Sequence, residues 1–236
     1  MLEKRSWPVT DIRVAQSADG GQKLEWYAAV FDSLSEDLGG FRERIGRRAF
    51  TRTIQDDDIR ALINHDPNLV LGRNKAGTLA LKVDTRGLRA TVTLPDTQAA
   101  RDLVVSIDRG DITGGSFAFQ VRDEKWGLGD DGEALRTVND LRLFDVSPVT
   151  YPAYPDTNGS ASVRSLLGLS DEALRVLARA KAGQPPTAET SGELRGAIAL
   201  LQGYLPEEQP EPVIEVAPPT VALRALRRRL EMAYRA

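Results

Sequence analysis

Residues 112–121 read Ile-Thr-Gly-Gly-Ser-Phe-Ala-Phe-Gln-Val, and the rest of the chain is best understood around this stretch. In a β-strand, Phe117, Phe119 and Val121 point to one side of the sheet, while Ser116 points to the other. The two glycines before the serine let another group approach it closely. The pattern therefore predicts either a strand that presents a nucleophilic serine or, more simply, a turn that leads into a strand.

Composition narrows the classes of function. The chain has 236 residues, of which 41% are hydrophobic and 28% are charged, and this suits one medium-sized domain with an appendage. A net charge of −3 argues against a protein that mainly holds nucleic acid. The absence of cysteine excludes disulfides and thiolate chemistry, and one histidine excludes a histidine-rich metal site. We expect no cofactor, no metal, and neither a signal peptide nor a membrane span.

Strand and helix patterns surround the serine on both sides. Residues 97–109 carry apolar side chains at helical spacing, and Gly110 follows as a helix-ending residue. Residues 123–133 are polar and predict an excursion between two strands. The stretches with strand-like alternation are 11–14, 23–30, 69–72, 78–84, 88–94 and 137–150. Together these patterns predict a β-rich domain with few helices.

A serine hydroxyl needs a neighbouring base to act as a nucleophile at neutral pH. His65 is the only imidazole in the chain, so any serine chemistry must use it. It ends a strand-like segment in which Ala61, Ile63 and His65 share one side if the chain is extended. A lone histidine is also commonly a structural residue, and the local pattern does not decide between the two interpretations.

A base of this kind is usually oriented by a carboxylate. Asp145 falls among apolar neighbours on its strand, where an unpaired carboxylate would be costly. It is therefore either the partner of the histidine or half of a structural salt bridge with Arg142 or Arg136. The other candidate carboxylates are Asp66, Asp84 and Asp111. Asp66 is the weakest of them, because adjacent strand residues point to opposite faces.

The composition changes after about residue 157, which predicts a domain over 1–157 and a tail over 158–236. In the tail, Ser170 is placed to cap a helix that ends near Gly183, and a second helix is predicted over 192–205. Residues 206–219 are rich in proline and glutamate and are expected to be disordered or extended. The last stretch, 221–234, predicts a basic amphipathic helix.

Many separated motifs resemble the prohead protease family of tailed bacteriophages, the capsid-maturation serine proteases related in fold to herpesvirus assemblin. The resemblance covers about residues 26–157, and the motifs occur in the order of the family. They are Asn64-His65-Asp66, Val70-Leu71-Gly72-Arg73, Leu94-Pro95-Asp96-Thr97, Arg109-Gly110-Asp111-Ile112, Gly115-Ser116-Phe117-Ala118-Phe119 and the run from Asp145 to Pro155.

The resemblance implies an α+β fold, with a β-barrel serine protease domain, packed helices and a helical, partly disordered C-terminal tail. It implies a protease enclosed in the assembling procapsid, in the cytoplasm of the bacterial host. There it would cleave the major capsid protein, a scaffold segment or itself, and we expect a homo-oligomer. The catalytic residues of the family carry over onto Ser116 and His65. The family commonly has glutamate where this chain has Asp145, which becomes the expected third residue.

Two alternatives remain open from the sequence. The first is an inactive protease fold that acts as a scaffold or capsid-assembly chaperone, which the aspartate at position 145 and the helical tail both allow. The second is a nucleic-acid-binding module, which rests on the basic run at 224–229 alone. In relatives, a region after the protease often serves in scaffolding and is lost by self-cleavage, and the tail resembles that arrangement.

Overall fold

The computed structural model describes residues 2–8, 12–16, 20–151 and 170–203, and these form ten β-strands and four α-helices. The strands are β1 Glu3–Pro8, β2 Arg13–Gln16, β3 Gln22–Val30, β4 Phe41–Ile45, β5 Arg60–Ile63, β6 Asp66–Arg73, β7 Leu79–Val83, β8 Gly87–Thr93, β9 Gly114–Leu128 and β10 Ala134–Val149. The helices are α1 Thr53–Asp56, α2 Gln98–Asp108, α3 Asp171–Lys181 and α4 Ser191–Gln202, and Asn74–Ala76 is a short 3₁₀ turn.

The described strands form two separate sheets. One has the order β1-β9-β10-β5-β6, with β4 also paired to β10, and the other has the order β2-β3-β8-β7. The expectation of a closed β-barrel is therefore wrong for the described strands, because the strands at the sheet edges have no ladder that joins one sheet to the other. The mixed α+β architecture with few helices is confirmed. The likeness to assemblin stays a prediction.

The two sheets share one apolar core. Phe117 and Phe119 of β9 are fully buried, with their ring centroids 5.0 Å apart, and Phe50 packs edge-on against Phe117 at 5.5 Å. Trp26 and Leu24 of β3 contribute to the same core from the second sheet. The aromatic side of residues 112–121 thus faces the core, as the alternation predicts. Ser116 points away from this aromatic side.

Helix α2 precedes the serine strand and agrees with its sequence pattern. The Thr97 side chain accepts a hydrogen bond from the Ala100 backbone N–H and so caps the helix. The apolar stripe is buried, with Ala100, Leu103, Val104 and Ile107 against the domain. Gly110 ends the helix at a φ of 79°, and its N–H donates to the Ile107 carbonyl. The chain then enters β9.

The hairpin of β9 and β10 is longer than the sequence predicts. The polar stretch 123–133 continues β9 as far as Leu128, and β10 already begins at Ala134. Charged side chains pair across this ladder, since the Arg136 Nε donates to the Glu124 carboxylate at 2.6 Å. The Trp126 ring packs against Phe41 of β4 at 4.9 Å. Cross-strand pairs of this kind stabilise a polar strand that lacks apolar alternation.

A buried cluster of charges attaches β1 to the rest of the sheet. The Glu43 side chain is 2% exposed and accepts hydrogen bonds from Arg5 at 2.8 Å and from Arg136 at 3.0 Å. Glu3 pairs with both arginines as well, at 2.7 Å. Burial raises the pKa of Glu43, and the two arginines oppose that rise. Since Arg5 and Glu3 belong to β1, the cluster holds this short strand in place beside β9.

Helix α3 packs on the domain, although it follows the boundary predicted at residue 157. Its Arg179 donates to Glu133 at 2.9 Å, and the Lys181 ammonium lies 4.4 Å from the centre of the Trp126 ring. Ser170 caps it as predicted, by accepting from the Ala173 N–H. The described residues up to Gln202 form one compact unit, and the boundary at residue 157 stays a prediction. The predicted disordered segment 206–219 and the basic helix 221–234 lie outside the described residues.

Within the described ranges, no helix is both long enough and apolar enough to cross a membrane.

Glu124 makes the stability of this hairpin depend on pH. Although burial opposes the change, hydrogen bonds from Trp126, Lys181 and Arg136 lower the pKa of Glu124 from its ordinary value of 4.5 to about 2. A lowered carboxyl pKa stabilises the folded state above the unfolded-state value, and this contribution is lost as the pH falls through the folded-state value. The contribution is therefore complete above pH 4.5 and disappears towards pH 2.

We expect Glu124→Gln to melt at a lower temperature than the wild type at neutral pH, with a gap that closes as the pH approaches 2. Melting curves followed by circular dichroism across this window measure the gap. The control is Glu36→Gln, which changes an exposed side chain and should follow the wild-type curve. A gap for Glu124→Gln that stays constant from neutral pH down to pH 2 would contradict the assignment.

Candidate active site

The chain's histidine lies in a tight turn, and not on a strand as the sequence predicts. Strand β5 ends at Ile63, and β6 begins at Asp66, which pairs with Ile63. The two residues between them have positive φ angles, 52° for Asn64 and 58° for His65. Two consecutive positive φ angles are the requirement of a two-residue type I′ hairpin connection, and asparagine adopts this conformation more easily than most residues.

Asn64 fastens this turn to the end of β10. Its backbone N–H donates to the Pro148 carbonyl at 3.0 Å. Its side-chain Oδ1 accepts from the Thr150 N–H at 2.9 Å, and its Nδ2 donates to the Thr150 Oγ1 at 3.1 Å. The position of the His65 imidazole is therefore set by β10 as well as by β5.

Ser116 lies on β9 between two other serines. Its register partners are Ser6 on β1 and Ser147 on β10, so the three serines form a row across adjacent strands. The Ser116 Oγ is 2.6 Å from the His65 Nε2. It also lies 2.9 Å from the Arg5 carbonyl oxygen and accepts from the Ser6 hydroxyl at 2.9 Å. Ser116 is fully buried in this arrangement.

Asp145 completes the contact on the other side of the imidazole. Its Oδ1 is 2.5 Å from the His65 Nδ1, and its side chain is 11% exposed. A register shift between Leu143 and Asp145 places a bulge immediately before the carboxylate. The bulge interrupts the alternation of side chains between the two faces of β10, and so alternation counted along the sequence does not describe this site.

The other candidate carboxylates have other partners. The Asp66 side chain accepts from the backbone and side chain of Asn68, and so stabilises the start of β6. The Asp84 side chain accepts from the Tyr27 hydroxyl at 2.7 Å. Asp111 pairs with Arg109 at 3.1 Å. The structure therefore brings Asp145, and none of these three, to the histidine.

The alternative of a structural salt bridge for Asp145 is not observed. Arg136 binds the carboxylates of the buried cluster on β1 and β4, together with Glu124. The Arg142 guanidinium lies over the Phe144 ring, 4.9 Å from its centre. Both arginines are thus engaged away from the histidine.

Three further polar groups belong to the site, and the sequence patterns do not predict them. They are the Ser147 hydroxyl, the Ser6 hydroxyl and the Arg5 carbonyl. Ser147 follows Asp145 by two residues on a buried stretch of strand, and this spacing was a usable signal. The contacts of β1 depend on a strand pairing 110 residues apart in sequence, which no local pattern reports.

One placement of the protons directs the donors of this network towards Asp145. With the proton on Nδ1, His65 donates to the Asp145 carboxylate and its Nε2 accepts from the Ser116 hydroxyl. The Ser6 hydroxyl on β1 donates to the Ser116 oxygen. This order of hydroxyl, imidazole and carboxylate is the arrangement that moves a proton away from a serine nucleophile. Among the described residues, no cluster of side chains is suited to hold a metal ion.

A serine, a histidine and an aspartate in contact are the arrangement found in serine hydrolases, a class that includes the serine proteases. The family model of the caudovirus prohead serine protease matches residues 10–170, more than half of the 236 residues. The chain belongs to this family of capsid-maturation serine proteases. The resemblance drawn from the sequence motifs is thereby confirmed.

Other comparisons add little to this assignment. No curated protein sequence matches the chain. Among solved structures, the chain is similar to the bacteriophage T4 capsid assembly protease, gp21, with 12% sequence identity and a TM-score of 0.44. The match covers 63% of this chain and 96% of the T4 chain. At this identity and score, no residue role or substrate carries over.

The left-handed turn gives a prediction about Asn64. We expect Asn64→Ala to lower the free energy of unfolding by about 2 kcal/mol, because it removes the bonds to Thr150 and leaves a β-carbon at positive φ. Asn64→Gly should cost less, since glycine adopts positive φ freely. Urea denaturation of both variants measures the difference.

Asn68→Ala serves as the control, because Asn68 is an exposed asparagine in the same hairpin. Its cost should stay within about 0.5 kcal/mol. Equal costs for Asn64→Ala and Asn68→Ala would show that the turn is not fastened by Asn64.

Proposed function

We propose that this chain is an endopeptidase in which Ser116 is the nucleophile, His65 the general base and Asp145 the orienting carboxylate. The observation that carries the proposal is the continuous contact from the Ser116 Oγ through the imidazole to the Asp145 Oδ1, with distances of 2.6 Å and 2.5 Å. Both are within the reach required for proton transfer. The aspartate reaches the imidazole even though its side chain is shorter than the glutamate common in the family.

The reaction follows from these contacts. The Ser116 hydroxyl attacks the scissile carbonyl carbon while its proton passes to the His65 Nε2. The imidazolium then gives this proton to the leaving amine, and an acyl-enzyme remains on the serine oxygen. Water activated by the same imidazole hydrolyses the acyl-enzyme. Throughout, Asp145 accepts from the Nδ1–H and keeps the other ring nitrogen facing the serine.

The proposal for the substrates rests on family membership. We propose that the chain cleaves pro-segments of the major capsid protein or a scaffold segment, and also itself, inside an assembling procapsid in the bacterial host. Inside a procapsid, the protease would be enclosed together with many copies of its substrate. We also propose that the chain forms a homo-oligomer and that it has no nucleic-acid partner. Residues beyond 157 are the segment proposed to be lost by self-cleavage.

The inactive scaffold remains the second candidate, and one observation favours it. Ser116 is fully buried, with Arg5 and Ser6 of β1 in contact with its hydroxyl. A substrate carbonyl can reach this oxygen only after a neighbouring group moves. The alignment of the three side chains supports the enzyme, because a scaffold has no need of a buried serine in contact with the chain's only imidazole.

We expect Ser116→Ala to abolish cleavage of the capsid protein while the fold is retained, because the variant lacks the nucleophile. The test is co-expression of the full chain with the capsid protein of the same genome, followed by sequencing of new N-termini. Ser106→Ala is the control, since the Ser106 hydroxyl donates to the Asp102 carbonyl of its own helix α2, away from the site. Undiminished cleavage by Ser116→Ala would remove this serine from the mechanism.

We expect Asp145→Asn to lower the cleavage rate by about 10³- to 10⁴-fold, because an amide no longer selects the Nδ1–H form of the imidazole. Asp145→Glu should keep part of the activity. Asp66→Asn is the matched control, since Asp66 adjoins His65 in sequence but bonds to Asn68. If Asp66→Asn proves as damaging as Asp145→Asn, the carboxylate has been assigned wrongly.

A further inference from the structure

A fourth side chain contacts two members of the predicted triad at once. Ser147 on β10 is fully buried, and its hydroxyl donates to the Asp145 Oδ1 at 2.9 Å. The same Ser147 oxygen accepts from the His65 backbone N–H at 3.3 Å. A hydroxyl offers one proton and two lone pairs, so both kinds of bonding capacity are used within the site.

The first bond restricts the carboxylate. The Asp145 Oδ1 receives one hydrogen bond from the Ser147 hydroxyl and another from the imidazole. Two donors that converge on one oxygen oppose rotation of the carboxylate plane. Without the hydroxyl, the imidazole would be the one hydrogen-bond donor to this carboxylate that remains among the described residues.

The second bond restricts the turn. His65 has a φ of 58°, a backbone conformation that is costly for a residue with a β-carbon. The Ser147 oxygen satisfies the N–H of this strained residue, while Asn64 is fastened one residue earlier by the Pro148 carbonyl. The backbone of His65 and the carboxylate of Asp145 are therefore both tied to one atom, which fixes their separation.

We propose that Ser147 is a positioning residue, which holds the Asp145 carboxylate and the His65 backbone in line and so keeps the imidazole in its Nδ1–H form facing Ser116. The proposal rests on the proposed function of the same site. Ser147 acts through the other two residues, since its own hydroxyl points to the carboxylate and not to the serine nucleophile.

The chain offers a close control for the loss of a buried hydroxyl. Thr53 is fully buried, its Oγ1 donates to the Asp57 carboxylate at 2.6 Å, and it accepts from the Leu143 backbone N–H on β10 at 2.8 Å. This bonding pattern matches that of Ser147 and involves the same strand. Thr53→Val therefore costs a similar set of hydrogen bonds without a contact to His65 or Asp145.

The experiment uses the full chain labelled with ¹⁵N-histidine, in which every imidazole signal comes from His65. At about pH 8, where an ordinary imidazole is neutral, the ¹⁵N shifts report which nitrogen carries the proton. We expect one Nδ1–H form in the wild type and in Thr53→Val. In Ser147→Ala the shifts should move towards a mixture of the two neutral forms. Ser147→Cys keeps the shape of the side chain but replaces the hydroxyl with a larger, weakly donating thiol, and should show the same change if Ser147→Ala folds poorly.

Turnover of the purified capsid protein at varied concentration gives the second readout. We expect kcat for Ser147→Ala to fall by about 10- to 100-fold with KM unchanged, because a misplaced base slows the chemical step and not binding. Thr53→Val should lower the melting temperature comparably and leave kcat near the wild-type value.

The two readouts separate the positioning role from the protease function. An unchanged Nδ1–H form in both Ser147 variants would overturn the positioning role, whatever the turnover. If the Ser147 variants change the imidazole form but the wild type cleaves no capsid protein, the positioning role is upheld and the protease function is removed. Equal losses of kcat in Ser147→Ala and Thr53→Val would also overturn the proposal, since a loss of stability alone would then account for the effect.

Discussion

The site depends on one local constraint, the pair of consecutive residues with positive φ between β5 and β6. This pair reverses the chain directly after Ile63 and turns the chain's only imidazole towards β9 and β10. An extended strand would carry the imidazole further along the sheet, away from the serine. The positive φ angle is costly for His65. Two hydrogen bonds offset this cost, one from the Asn64 N–H to the Pro148 carbonyl on β10 and one from the His65 N–H to the Ser147 hydroxyl.

The turn can bring His65 to the other two residues because the paired strands β9 and β10 place Ser116 and Asp145 next to it. Ser116 and Ser147 are direct partners in the ladder, and the bulge before Asp145 places the carboxylate beside the turn. The serine strand is anchored from behind by the aromatic core, in which Phe117 contacts both Phe50 and Phe119. Ser116 and Asp145 therefore come from two paired strands, β9 and β10, and His65 comes from the turn between β5 and β6.

The sequence predicts the parts of this arrangement that depend on local periodicity. Alternation places Phe117 and Phe119 in the core, and helical spacing places α2, because burial imposes these repeats directly. Periodicity misplaces His65, because the left-handed turn interrupts the alternation of the strand. It also misses the polar hairpin, whose stability comes from charged pairs across the strands. The closed barrel is an expectation from the family resemblance and not from periodicity, and the described strands form two sheets instead. Ser6 was missed because its partner is 110 residues away.

Proton counting shows what the observed arrangement demands of the proposed reaction. The Ser116 hydroxyl has one proton and two acceptors within reach, the His65 Nε2 at 2.6 Å and the Arg5 carbonyl at 2.9 Å. Only donation to the imidazole leads to catalysis, so β1 competes with the base for this proton while it also covers the serine. The buried charges of Glu43 and Arg136 hold β1 in that position through Arg5 and Glu3. Strand β1 therefore supplies both a donor and a competing acceptor to the Ser116 oxygen, and the charges that hold β1 in place also set the surroundings of this hydroxyl.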